Sequence, residues 1–244
     1  MTLPENVGII TQARMTSSRL PGKIMLKAGG KTLLEHHLER LGLSGINKYI
    51  ATTADEEDKP IRDFARKNDL PFFAGSRDNV LSRYYEAAKE FGLNIIIRVT
   101  SDCPLIDGAL VKQGLNRFKQ NYSSGLYLSN CVERTYPRGM DFEIFTFDLL
   151  EDAHYNAKEP YELEHVTPYI NKNRSGKVRI YSMKQNRDNS MYRLTVDEED
   201  DYKLIKELIE TYHAENYDFE KIVLIMDKHP ELAEINKNVS QKAG

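Results

Sequence analysis

The chain has no apolar run approaching the ~20 residues that a membrane-spanning helix needs, so no membrane partner is expected. Cysteine is scarce: Cys103 and Cys131 are the only two among 244 residues. That is too few for a disulfide framework, and reduced thiols in a cytoplasmic protein are the simplest account. Residues 1–6 carry no basic segment ahead of an apolar one, so a secretory signal is not expected. Net charge is −3, which offers nothing to nucleic acid in bulk. Two nucleotide fingerprints are missing. There is no G-x-x-x-x-G-K-[ST] and no G-x-G-x-x-G, so neither a Walker loop nor a Rossmann dinucleotide site is supported. Internal repeats, low-complexity segments and linkers are also missing, and residues 1–244 are expected to form a single domain.

What is present begins with a short apolar strand, residues 7–13, and the loop behind it. That loop holds Arg14, Arg19 and Lys23, with Thr16, Ser17 and Ser18 between the arginines and Pro21-Gly22 as a turn. Three cations without an acid suit a triphosphate: guanidinium forks chelate phosphate oxygens, and a lysine adds a mobile point charge. A solvated basic loop is the alternative.

The first hundred residues alternate strand and helix. Strands are expected at 7–13, 48–53, 71–74 and 94–100. Helices are expected at 32–43, with Thr32 as N-cap, at 57–68 and at 79–91. Strands separated by helices of this length argue for βαβ units and a parallel sheet. Ligands collect beyond the carboxyl ends of such strands, which puts residues 14–23 and Ser101-Asp102 on one rim. Further on, strands are expected at 125–131, 140–145, 177–183 and 192–196. Helices are expected at 147–157, 161–173 and 198–212, with two short ones at 219–226 and 230–236. The polar tail, 238–244, is expected to fray.

Two strand ends carry a carboxylate. Asp102 closes an apolar strand just before Cys103-Pro104, and Asp197 closes Arg193-Leu194-Thr195-Val196. A strand-end carboxylate can take a hard cation, since Mg²⁺ binds one or two carboxylates plus phosphate oxygens. Each aspartate could instead serve a turn or a helix start, although Asp107 is the better cap for the helix after Pro104. Two such carboxylates facing a basic loop form the charge mixture that a metal–triphosphate site needs.

Together these segments resemble the cytidylyltransferases that activate KDO and N-acylneuraminic acids, and most of all the branch tied to spore-coat polysaccharide biosynthesis. The resemblance runs through residues 9–23, 75–89, 98–106, Tyr136-Pro137-Arg138-Gly139-Met140-Asp141-Phe142-Glu143, Glu164-His165-Val166-Thr167-Pro168-Tyr169-Ile170 and 194–200. It implies an open, mostly parallel α/β sheet of the nucleotide-diphospho-sugar transferase type, Rossmann-like. A strand-rich excursion at 125–157 would serve dimerisation and the acceptor. It implies transfer of CMP from CTP to a sugar acid, with release of pyrophosphate. Ala13, Arg14, Ser17, Arg19 and Lys23 would bind the nucleotide. Arg14, Lys23, Asp102 and Asp197 would be catalytic, and Asp102 and Asp197 would hold Mg²⁺. Thr100-Ser101-Asp102 departs from the Gln-Gly-Asp of the KDO enzymes, which puts KDO itself in doubt as the acceptor.

Acceptor contacts are expected from Arg138, Asp141, Glu143 and His165, with Arg134 and Glu164 as neighbours. His36-His37 lacks metal spacing and reads as one buried and one exposed ring. Cys103 reads as a small buried residue without a histidine partner. A homodimer is implied, and Leu126, Tyr127, Leu128, Tyr136, Phe142, Ile144 and Phe145 offer apolar surface for it unless they pack into their own core. Two rivals stay open: a glycosyltransferase, which would need an Asp-x-Asp-type pair, and a nucleotide-binding protein without catalysis.

Overall fold

A computed structural model describes residues 5–240; residues 1–4 and 241–244, and with them most of the first segment and the end of the polar tail, lie outside the described residues. Strand β1 (Val7–Gln12) buries Ile9 and Ile10 on opposite faces, as a strand covered by helices on both sides must. A two-residue hairpin follows, β2 (Lys27–Ala28) and β3 (Lys31–Thr32). Helix α1 (Leu33–Gly42) starts there because Thr32 and Glu35 cap each other: the Thr32 hydroxyl accepts from Glu35 N at 3.2 Å and the Glu35 carboxylate accepts from Thr32 N at 2.6 Å. Leu33, Leu34, Leu38 and Leu41 are buried on its inner side, each contributing about 1.5–3 kcal/mol.

The alternation continues through β4 (Asn47–Thr53), α2 (Lys59–Lys67), β5 (Phe72–Gly75), α3 (Val80–Glu90), β6 (Ile95–Thr100) and α4 (Gly108–Gln120). Asn79 and Asp107 cap α3 and α4 through their side chains. The remaining elements are β7 (Leu126–Ser129), β8 (Glu143–Thr146), α5 (Phe147–Asn156), α6 (Pro160–His165), α7 (Pro168–Asn171), β9 (Arg179–Ser182), α8 (Glu199–Glu210), α9 (Phe219–Lys228) and α10 (Pro230–Ile235). Seven strands form one sheet in the order β5-β4-β1-β6-β8-β7-β9. The pairs β5·β4, β4·β1, β1·β6 and β7·β9 are parallel, and β8 is antiparallel to both its neighbours.

β1 connects toward β4 on one side, and β6 lies on the other. A crevice therefore opens at the carboxyl ends of β1 and β6, the switch point where open α/β sheets place ligands. The two strands run in register to their ends, Gln12 opposite Thr100, and Ser101 N donates to the Gln12 carbonyl at 3.1 Å.

Four sequence expectations need correction. Residues 192–196 are extended but do not form a strand: a single bridge, Arg138 to Arg193, is all their pairing. The helix expected at 161–173 is two short ones, because Val166 adopts φ 71° and Pro168 cannot continue a helical turn. Residues 125–157 are no excursion. They supply β7, β8 and α5 to the main layer, and Leu126, Tyr127, Leu128, Tyr136, Phe142, Ile144 and Phe145 are all buried in it. His36 and His37 are both buried, His36 on the Ala28 carbonyl at 2.9 Å.

Candidate active site

A cavity of about 510 Å³ lies over the crevice. Its walls come from residues 12–24 at the end of β1 and after it, Arg83 of α3, Arg98 and residues 100–103 at the end of β6, residues 138–141 and 164–165 from the middle, and Thr195 and Asp197 ahead of α8. Six cationic side chains line it: Arg14, Arg19, Lys23, Arg83, Arg98 and Arg138. Asp102, Asp141, Glu164 and Asp197 are the acids.

The centre is an ion triad. Lys23 follows Gly22, which adopts φ 68°, and a short 3-10 turn directs the lysine inward. Its Nζ donates to Asp102 Oδ2 at 2.8 Å, to Asp197 Oδ1 at 2.8 Å and to the Val196 carbonyl at 2.6 Å, which uses all three donors. Burial works against the Lys23 charge, but the two carboxylates outweigh it and hold its pKa above the ordinary lysine value. Burial would lift Asp102 as well, yet the ammonium brings its pKa down to about 2. Asp197 is lowered too: against burial stand Lys23 and Arg19. Arg19 reaches Asp197 at 3.0 Å and Glu198 at 3.1 Å, and Arg193 reaches Asp197 at 2.7 Å. One backbone bond ties the aspartate segments together, Val196 N donating to the Asp102 carbonyl at 2.8 Å, and another ties the Asp197 segment to the middle, Leu194 N donating to the Arg138 carbonyl at 2.7 Å.

Two hard carboxylates that share one cation suit a divalent ion of the Mg²⁺ kind, which accepts one or two carboxylates and completes its shell with substrate oxygens and water. Among the described residues there is no group of three or more His, Cys, Asp or Glu side chains that could hold a metal without such help.

The expected nucleotide residues Ala13, Arg14, Ser17, Arg19 and Lys23 all line the cavity. Arg14 makes no hydrogen bond or ion pair among the described residues, whereas Arg19 and Lys23 are committed to the carboxylates. Of the expected acceptor residues, Arg138, Asp141 and His165 line it. Asp141 is already forked by Arg134, at 2.5 and 3.1 Å. His165 lies against Tyr161, ring centroids 4.5 Å apart. Burial first, then the charges of Arg98 and Arg14, lower its pKa and favour the neutral ring. Glu143 is elsewhere. It is buried behind the cavity and takes Arg98, the Tyr127 hydroxyl and the Thr167 hydroxyl, the last at 2.6 Å. It holds Arg98 in place and is not among the lining residues.

Sequence reasoning gave no role to Gln12, Arg83, Arg98 or Thr195, all of which line the cavity. Arg83 is buried and donates to the Ser76 carbonyl at 2.9 Å; among the described residues its Nε, and likewise the buried Arg98 Nε and Gln12 Oε1, have no partner. The signal that could have found Arg83 is its position: an arginine on the apolar face of α3, where only a paired or functional charge survives. Cys103 is buried beside Asp102, and burial, with the Asp102 charge, pushes its thiol well up, so it is no nucleophile. No described helix is long and apolar enough to cross a membrane.

A family model described as cytidylyltransferase matches residues 8–227. A solved cytidylyltransferase from Leptospira borgpetersenii is 38% identical, covers 98% of this chain and 99% of its own, and superposes with a TM-score of 0.89. The spore coat polysaccharide biosynthesis protein SpsF of Bacillus subtilis is 29% identical over 92% of this chain and 95% of its own length. An 8-amino-3,8-dideoxy-manno-octulosonate cytidylyltransferase of Shewanella sp. is 34% identical over 47% of this chain and 48% of its own.

Proposed function

The chain belongs to the cytidylyltransferase family, and on that premise we propose that it moves CMP from CTP to a sugar acid, releasing pyrophosphate, in the biosynthesis of a surface polysaccharide or glycan. The observation that carries this reading is the pairing of Asp102 and Asp197 around one ammonium, at the floor of a cavity lined by five further cations. The sugar-acid acceptor rests on the family resemblance and on the activity named for the Shewanella relative. No strand end here carries the Asp-x-Asp-type pair that the glycosyltransferase rival needs, and an intact triad argues against the rival without catalysis.

In this reading Arg14 holds the triphosphate, and Arg19 and Lys23 leave the carboxylates to join it when the nucleotide binds, with Ala13 and Ser17 offering backbone and hydroxyl groups beside them. Asp102 and Asp197 would hold Mg²⁺, which when bound would neutralise phosphate charge. An acceptor hydroxyl attacks the α-phosphorus in line. The new oxygen–phosphorus bond forms as the bond to the bridging oxygen breaks; pyrophosphate leaves with that electron pair, and the hydroxyl proton passes to water. The cationic wall stabilises the departing charge, and the fixed carboxylates and guanidinium groups supply orientation. Arg138 receives the acceptor's carboxylate, and the neutral His165 accepts a hydrogen bond from one of its hydroxyls.

Cytosine is separated from uracil by backbone groups of residues 13–18, because the exocyclic group changes from donor to acceptor and a buried mismatch costs about 1–3 kcal/mol. Two free thiols and a nucleoside triphosphate substrate fit a cytoplasmic enzyme. The homodimer belongs to this reading on the resemblance alone, since Leu126, Tyr127, Leu128, Tyr136, Phe142, Ile144 and Phe145, the side chains that offered apolar surface for it, face inward.

The test is pyrophosphate release from CTP, UTP, GTP and ATP with Mg²⁺ and a panel of KDO, neuraminic, legionaminic and pseudaminic acids. CTP with one of these acids is the expected pair. A preference for UTP or GTP would overturn the base, and silence across the whole panel would overturn the reaction.

A further inference from the structure

The carboxyl end of β6 is held from behind by a group outside the cavity. His37, on the inner face of α1, is completely buried. Its Nδ1 lies 2.9 Å from the Cys103 carbonyl and its Nε2 lies 2.9 Å from the Thr11 hydroxyl. Thr11 is 2.9 Å from the Ser101 hydroxyl, which in turn donates to the Gln12 carbonyl at 2.6 Å. One ring therefore joins α1, β1 and Cys103, and Asp102 stands between Cys103, which the ring holds, and Ser101, which the Gln12 carbonyl holds.

The proton positions follow from the partners. A carbonyl can only accept, so Nδ1 carries the hydrogen and Nε2 accepts the one proton of Thr11; the Ser101 proton goes to the Gln12 carbonyl, and Thr11 and Ser101 meet without a hydrogen bond between them. Burial brings the His37 pKa down to about 4, so this neutral tautomer is the one present near pH 7. The Cys103 carbonyl has two lone pairs, and Ile106 N at 3.2 Å takes the other. From the front, the Asp102 carbonyl is held by Val196 N at 2.8 Å and by the Thr195 hydroxyl at 3.2 Å. Without His37 the turn would keep its frontal contacts and the Ser101–Gln12 bond, and lose the side-chain donor behind the Cys103 carbonyl.

We propose that His37 is a positioning residue for Asp102, acting through the Nδ1–H bond to the Cys103 carbonyl. This rests on the reading of Asp102 as a site carboxylate. His37 touches neither cavity nor substrate, and its work is to keep the 101–103 turn from opening.

The test uses three substitutions. His37→Asn places an amide donor near the Nδ1 position, His37→Gln places one near the Nε2 position, and His37→Phe keeps the volume without either bond. Hydrogen–deuterium exchange over residues 100–106 is the direct readout, with the rest of the sheet as internal reference. Phe and Gln should speed exchange there about tenfold, as loss of one buried hydrogen bond implies, while Asn stays near wild type. The Mg²⁺ concentration needed for half-maximal pyrophosphate release should rise in the same order. Wild-type exchange at 100–106 in the Gln variant, or exchange in the Asn variant as fast as in Gln, would overturn the proposal. The Asn and Gln pair decides even if the Phe variant does not fold. The exchange measurement needs no turnover, so a wild-type enzyme silent in every assay would sink the reading of the site and leave this comparison standing.

Discussion

At the scale of single residues the account turns on Lys23. Its sequence position says only that a basic loop contains a lysine; that the ammonium reaches two carboxylates 79 and 174 residues away is a tertiary fact that no local pattern encodes. Lys23→Ala should leave Asp102 and Asp197 facing each other with less counter-charge. A destabilisation of about 2–4 kcal/mol is expected from breaking a largely buried pair, read as a lower melting temperature. Added Mg²⁺ should recover more of that loss in the variant than it adds to wild type, because a cation can again sit between the carboxylates; equal shifts in both proteins would contradict this. Turnover in Lys23→Ala should fall for every nucleotide alike. The pH dependence has a definite sign. Asp102 is lowered in the fold, so its contribution is complete above the ordinary carboxylate range and is lost as pH falls toward about 2. Lys23 is raised, so its contribution is complete below the ordinary lysine value and is lost only at still higher pH. Acid unfolding of Lys23→Ala should lack the part of this profile that the pair supplies in wild type.

At the scale of elements, the bridge between Arg138 and Arg193 does the work that a strand was expected to do. It is possible because Gly139 adopts φ 99° with the Leu194 carbonyl alongside, where an added Cβ would stand 2.5 Å from that oxygen. Gly139→Ala should cost about 1–3 kcal/mol in backbone strain alone. It should also lower turnover by shifting Arg138 and the segment that ends in Asp197. A variant with wild-type melting and wild-type turnover would remove this role. The same region shows where reading elements from sequence stops. The strands and helices of the first hundred residues were legible, with Thr32 as a cap, because apolar spacing and capping are local. Residues 192–196 have strand composition, but whether an extended run finds a pairing partner is not local information. Pro168 was legible and should have divided the helix expected at 161–173.

At the scale of the molecule, the sheet brings together halves that the sequence shows only as separate motifs. The parallel half and its rim could be placed in advance. β8 and β7 could not, because antiparallel pairing on β6 closes contacts over long separations, and an apolar strand looks the same in a core and in an interface. Light scattering at micromolar concentration checks the dimer: a dimeric mass is expected, and a monomer would remove assembly from the proposal. The site was legible as two acids and a basic loop; its depth, with Arg83, Arg98 and Gln12 beneath, was not. The central claim is that Asp102 from the first half and Asp197 from the second serve one site. Pyrophosphate release by Asp102→Asn, Asp197→Asn and the double variant, at ordinary Mg²⁺ and with melting curves alongside, tests it most directly. Each single variant should fall about 100-fold or more while remaining folded, and the double should be little worse than the weaker single, as groups acting as a unit behave. Full turnover in Asp102→Asn would contradict the account.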